Sequence, residues 1–146
     1  DPRFCLVVLA EIASRALSPA INDPGTAIAV IAAQHRLLAH WAETSARTTE
    51  TEPACPRVFV PPLDAADLVE DAFGPVARDG AGMLEVGLRL QRSLASLAAE
   101  GPSDLSAATQ AMADRARRLA DGALVLEEDR ERLAQAALRP DIVADA

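Results

Sequence analysis

An all-α domain is the fold class that the sequence predicts, and three observations predict it. Apolar residues recur at helical spacing along most of the 146-residue chain. Two stretches carry a strong helix start, an aspartate at the cap position: Asp23 ahead of Pro24, and Asp64 ahead of Ala65. Half of the chain is hydrophobic but only 3% is aromatic, with no tyrosine. The core must therefore be built from Ala, Leu, Val and Ile, and such small side chains favour close helix-on-helix packing. The expectation is a single helical domain over residues 1–146 with five or six helices and at most one short β-element near residues 57–60.

The elements follow in order. Residues 3–17 read as a first helix with a broad apolar face drawn from Phe4, Val7, Val8, Ile12, Ala13, Ala16 and Leu17. Glu11 and Arg15 stand four apart, at pairing distance on one side. Pro19 pushes Ser18 out of the helical region and ends the helix. The second helix starts at Asp23–Pro24 and carries Ala27, Ile31, Leu38 and Trp41 to about Ala46. A polar loop over 44–56 leads to "RVFVPP", a brief β-type run cut short by Pro61 and Pro62. "LDAADL" opens the third helix, with Asp64 as cap and Leu63 and Leu68 placed as a staple. Gly74 and Pro75 are expected to break or kink it after Phe73. After the "DGAG" loop, Met83, Val86, Leu90, Leu94 and Leu97 form a fourth stripe. Ser103 or Ser106 is expected to cap a fifth helix. A last helix opens with Glu127, Glu128 and Asp129, the sign that a helix N-terminus favours.

The charge balance excludes several function classes. Net charge is −8 and every basic residue is an arginine. An acidic surface argues against a nucleic-acid partner, which needs a basic patch. Arg115, Arg117 and Arg118 lie beside Asp114 and Asp121 and read as a self-compensating, solvated face. Cys5 and Cys55 form no C-x-x-C pattern, and free thiols in a reducing compartment are the simpler reading. No apolar run approaches the roughly 18 residues of a membrane span, and no signal peptide opens the chain. It starts at Asp1 rather than Met and is read as part of a longer protein.

Candidate chemistry is sparse. His35 and His40 are five apart, a spacing that does not place two ligands on one helix face, so no metal site is expected. No phosphate-binding or nucleophile-elbow motif occurs, and no cofactor is expected. "GAG" at 80–82 is a turn before a helix. Ser18 as a nucleophile would need His35 as its base, far along the next helix, and no catalytic residue is assigned.

The remaining candidate is "RALSPAINDPGTA" with the acid that precedes it: Glu11, Arg15, Ser18, Asn22, Asp23 and Thr26. As a ligand site it offers Arg15 beside the free N–H groups of a helix start. As a structural corner it explains more residues. Asp23 caps through Gly25 or Thr26, Pro19 stops one helix, Pro24 starts the next, Asn22 accepts unusual dihedrals, and Glu11 neutralises Arg15.

The stretch "DPRF…LAEIASRALSPAINDPGTA" resembles the C-terminal signature of a bacterial family of predicted membrane proteins, known as domain of unknown function 2254. The family pattern runs approximately D-x-x-F-G-x-x-x-L-x-D-I-A-x-R-A-L-S-P-x-I-N-D-P-x-T-A. "RVFVPPLDAADLVEDAFGPVARDGAG" is similar to a second family segment, in which a valine-proline and an aspartate precede A-F-D-P-I. The likeness runs from Asp1 to about Ala99. Cys5 stands where the family usually has glycine, Glu11 where it has aspartate, and Gly74 where an aspartate precedes the proline. The first exchange at an acidic position keeps the charge; the change at Gly74 removes a possible helix cap.

The resemblance implies several transmembrane helices upstream. This chain is then the soluble C-terminal part, on the cytoplasmic side of a bacterial inner membrane. No activity follows from it. The expected function is an assembly or regulatory module, acting as a homo-oligomer and attached to the membrane through those helices. The alternative is a small-ligand sensor at the Arg15, Asn22 and Asp23 corner, and an enzyme is the weakest reading. A buried, fully paired corner favours the first; an open pocket with Arg15 unpaired favours the second.

Overall fold

The computed structural model describes residues 2–47, 57 and 61–137. The elements among them are all helices: α1 Pro2–Ala16, α2 Pro24–Arg47, α3 Ala65–Asp79, α4 Leu84–Glu100, α5 Ser103–Ala123 and α6 Glu127–Ala137. The chain is thus all-α, as its periodicity predicts. Of the expected β-element, Arg57 lies in a turn and residues 58–60 fall outside the described residues, as does Cys55.

Packing closes five of the helices into a ring. α1 lies against α2 and α3, α3 against α5, α5 against α4, and α4 back against α2, while α6 rests on α4 and α5. The core fills the ring with Leu6 and Ala13 from α1, Ile31 and Leu38 from α2, Leu68 and Phe73 from α3, Leu90 and Leu94 from α4, and Leu105 and Met112 from α5. A smaller cluster of Ala120, Leu124 and Leu133 seats α6. Alanines such as Ala13, Ala27 and Ala72 are wholly buried, so the helices approach closely.

Polar contacts set the order of the helices. Arg3 at the start of α1 donates from Nη1 to Asp67 Oδ2 at 3.0 Å and from Nε to Asp71 Oδ2 at 2.5 Å. Near the other end, Arg78 and, more weakly, Ser14 hold the Asp79 carboxyl below its ordinary range, with Ser14 of α1 beside the last residue of α3. These contacts align α1 with α3, start to start and end to end. Arg115 of α5 donates to both carboxylate oxygens of Glu70 on α3. That arginine therefore ties two helices together rather than joining a self-compensating face; Arg117 pairs with Asp114 as expected of such a face.

The two aspartate caps are confirmed. Asp64 accepts from the backbone N–H groups of Ala66 and Asp67 at 2.8 and 3.1 Å. Two expectations need correction. α3 does not end at Phe73; it continues through Gly74 and Pro75 to Asp79. Position 74 is therefore a buried helix interior and not a cap site. Pro75 has no N–H for the carbonyl four residues back. Beside it, the amide nitrogen of Gln34, a fully buried side chain, donates to the Ala72 carbonyl at 2.7 Å. Burial of Leu68, Val69, Phe73, Val76 and Ala77 along one face holds the helix together past the proline. The second correction concerns α5, which is capped by neither serine: Pro102 holds the cap position and Ser103 is already helical. Gly80 ends α3 at a close approach, since a Cβ there would stand 2.7 Å from Val86 Cγ1.

Two stability predictions follow from this packing, both read by urea unfolding. Phe73→Ala empties the centre of the ring and is expected to cost about 3–5 kcal/mol. Asp64→Ala removes a cap with two accepted bonds and is expected to cost about 1 kcal/mol. A cost below that of the cap for Phe73→Ala would contradict the placement of the core.

Candidate functional site

The turn between α1 and α2 is built almost wholly from its own hydrogen bonds. Ser18 Oγ donates to the Arg15 carbonyl at 2.7 Å. The N–H groups of Ile21 and Asn22 both donate to the Ser18 carbonyl, and that of Asp23 donates to Ala16. Asn22 takes φ of 50°, the left-handed region that asparagine tolerates better than most residues. Asp23 then caps α2: Oδ1 accepts from the Thr26 N–H at 3.0 Å and Oδ2 from the Thr26 hydroxyl at 2.5 Å. The Thr26 hydroxyl, the Thr26 N–H and the Gly25 N–H together hold the Asp23 carboxyl below its ordinary range. The start of α2 therefore already carries its negative charge. Ser18, Asn22, Asp23 and Thr26 form the structural corner read from the sequence.

Glu11 and Arg15 do not complete it. Both are exposed, and among the described residues no ion pair joins them to each other or to any third group. The pairing expected from their spacing is absent, and both residues line one open groove. That groove, of about 370 Å³, has an apolar lining of Val8, Ile12, Ala16 and Ile21 and a polar lining of Glu11, Arg15, Asp23 and Thr26. One base meets two acids there, one of them already bonded to Thr26.

The groove continues onto a face that the sequence reading did not separate. α1 buries Leu6, Ala10, Ala13 and Ala16, with Leu17 just beyond its end. Phe4, Val7 and Ile12, expected in the same apolar face, instead point outward; Phe4 is 66% exposed and Ile12 46%. Ile21 in the corner, 53% exposed, stands beside Ile12 in the groove. The other large exposed hydrophobics among the described residues are Leu63, Val125 and Leu126, all in connections. α1 is thus the one described helix with large apolar side chains on its outer face.

The other candidates are accounted for by packing. His40 is exposed, and His35 is half-buried against α4. Among the described residues no three metal-ligating side chains gather in one place. Burial holds the His35 imidazole below its ordinary range, opposed by the Ser93 carbonyl. Ser18 has its hydroxyl engaged by Arg15 in the turn, with no base assembled beside it. A second groove of about 450 Å³ between α2, α4 and α5 holds Glu43 and Glu100 over Ala42, Leu97 and Leu105.

The His35 shift has a sign that can be checked. Its native pKa lies below the ordinary 6.5, so the unfolded chain takes up a proton that the native chain resists. His35 therefore contributes stability above that value, and the contribution is lost as pH falls from it toward the native pKa. The melting temperature is expected to drop between about pH 7.5 and pH 5.5, and His35→Gln is expected to flatten that drop. An equal drop in both proteins would assign it to other groups.

Comparison with known proteins adds a family and little else. No curated protein and no solved structure matches the chain. No helix among the described residues is long and apolar enough to cross a membrane. The profile of a family described as predicted membrane protein, domain of unknown function 2254, matches residues 1–96, which take in α1, the corner, α2, α3 and most of α4. The match covers well over half of the chain, and on that ground the chain belongs to this family of predicted membrane proteins.

Proposed function

We propose that this domain is an assembly module of a bacterial integral membrane protein, joined to the inner membrane by upstream helices and facing the cytoplasm. The observation that carries the reading is the outward side of α1, where Phe4, Val7 and Ile12 are exposed, with Ile21 exposed in the corner beside Ile12. Fully burying one such side chain contributes about 1.5–3 kcal/mol, so a partner that covers this side gains from each. Large apolar side chains gathered on the outer side of one helix mark an interaction site. Family membership supports the membrane context, and the exposed Cys5 thiol suits a reducing compartment. The reading assigns no reaction, cofactor or nucleic-acid partner.

One observation favours a second reading, a small-ligand sensor. The groove beside the corner is open and Arg15 has no ion pair, as a site for an apolar acid requires. Against this stand Glu11 and Asp23, whose carboxylates share the lining and repel an anion.

Both readings are tested on the full-length protein in detergent. Phe4→Asp places a charge on the patch without touching the core. It is expected to shrink the assembled particle in light scattering, while thermal melting of the 146-residue chain stays near wild type. An unchanged particle would overturn the assembly reading. The sensor reading expects instead that apolar carboxylates raise the melting temperature of the wild type and not of Arg15→Ala.

A further inference from the structure

The assembly reading leaves open what covers α1, and the charges on the patch bear on that choice. We propose that the partner is a second copy of this chain, docked about a two-fold axis through the outward faces of two antiparallel α1 helices; this rests on the assembly reading above. A two-fold interface uses the same surface on both copies, so that surface must be complementary to itself. The α1 face meets this requirement. It carries one acid, Glu11, and one base, Arg15, both exposed and, among the described residues, neither paired within its own chain.

The spacing sets the register. Glu11 and Arg15 are four residues apart, about 6 Å along the helix. With the axis level with residue 13, Arg15 faces the partner's Glu11 and Glu11 faces the partner's Arg15. Phe4 then lies about 13 Å from the axis level, past the end of the partner's α1. Ile21 stands beside Ile12 and Ala16, within the stretch where the two helices overlap. One symmetry operation thus pairs both free charges and brings the exposed Ile12 and Ile21 of each copy under the other's α1. It also fills the groove that a small ligand would otherwise take.

A lipid surface is the weaker occupant. Anionic membranes draw clusters of basic residues. This face has one acid for its one free base, Arg3 at its edge is bonded to Asp67 and Asp71, and the chain carries a net charge of −8. A face one helix wide, on which the two α1 helices overlap over residues 10–16, supports a weak dimer of the free chain. Tethering in a membrane raises the effective concentration and strengthens it.

Sedimentation equilibrium of the 146-residue chain between about 10 μM and 1 mM tests this, with circular dichroism to show that every variant folds. The wild type is expected to dimerise. Glu11→Arg sets arginines against each other across the axis and is expected to weaken the dimer at least about tenfold. Arg15→Glu is expected to do the same with carboxylates. The double variant Glu11→Arg, Arg15→Glu restores complementarity and is expected to return to within about threefold of wild type. A wild type that stays monomeric to about 1 mM, or a double variant no better than the singles, overturns the two-fold pairing. If Phe4→Asp still shrinks the full-length particle in that case, the assembly reading stands with another occupant. If it does not, both fall. Binding to anionic vesicles that Glu11→Arg strengthens and Arg15→Glu weakens would assign the face to lipid and overturn the proposal.

Discussion

α1 is held from one side only, and the character of the molecule follows from that. In a closed ring of five helices each member has an inner face for the core and an outer face for solvent. α1 meets the inner requirement with Leu6, Ala10, Ala13 and Leu17, whose recurrence at helical spacing makes a narrow, mostly small stripe. Small residues let it sit close to its neighbours, and the Arg3 bonds to Asp67 and Asp71 hold it in line with α3. None of this needs Phe4, Val7 or Ile12. Their exposure carries a cost that the isolated fold does not recover, because apolar surface left in water forgoes about 25 cal/mol per Å².

The corner gives that face its fixed geometry. A self-bonded turn with Asn22 in the left-handed region and Asp23 capping α2 leaves little freedom in where α2 departs from α1. Ile21 is thereby held beside Ala16 and Ile12, and the groove between them keeps its shape. The conspicuous polar residues of this stretch mostly serve the backbone. The residues available to a partner are the less conspicuous ones around them: Phe4, Ile12, Ile21, and the unpaired Glu11 and Arg15.

How much of this was legible in the sequence depended on how local the physics was. The caps at Asp23 and Asp64 could be read because a cap involves only the next three residues. The helical class could be read because each stripe repeats within one segment. The continuation of α3 through Pro75 could not. A proline's local penalty argues for a break, and what outweighs it is burial against the rest of the ring, beside a carbonyl served by Gln34, 38 residues distant. The bond of Arg115 is illegible for the same reason, since its partner Glu70 lies 45 residues away. The outer face of α1 was hidden by excess: apolar residues surround the helix, so its stripe could not be divided into inner and outer halves. The Glu11–Arg15 spacing permitted a pair, but permission is not formation, because an exposed pair of this kind gains only about 0.2–0.5 kcal/mol.

The central claim is that the outward face of α1 is covered in the assembled membrane protein. Its most direct measurement is thiol accessibility in the full-length protein, in native membranes opened to give access to the cytoplasmic face. Cys5 and Cys55 are first replaced by serine. A single cysteine is then placed at Ile12, exposed on the outward face of α1, or at Ala107, on the exposed face of α5. The account predicts that the cysteine at position 12 reacts with a polar maleimide much more slowly than the one at position 107, and that Phe4→Asp removes the difference. Equal, rapid labelling of both positions in the unaltered background would show the face open to water and contradict the account.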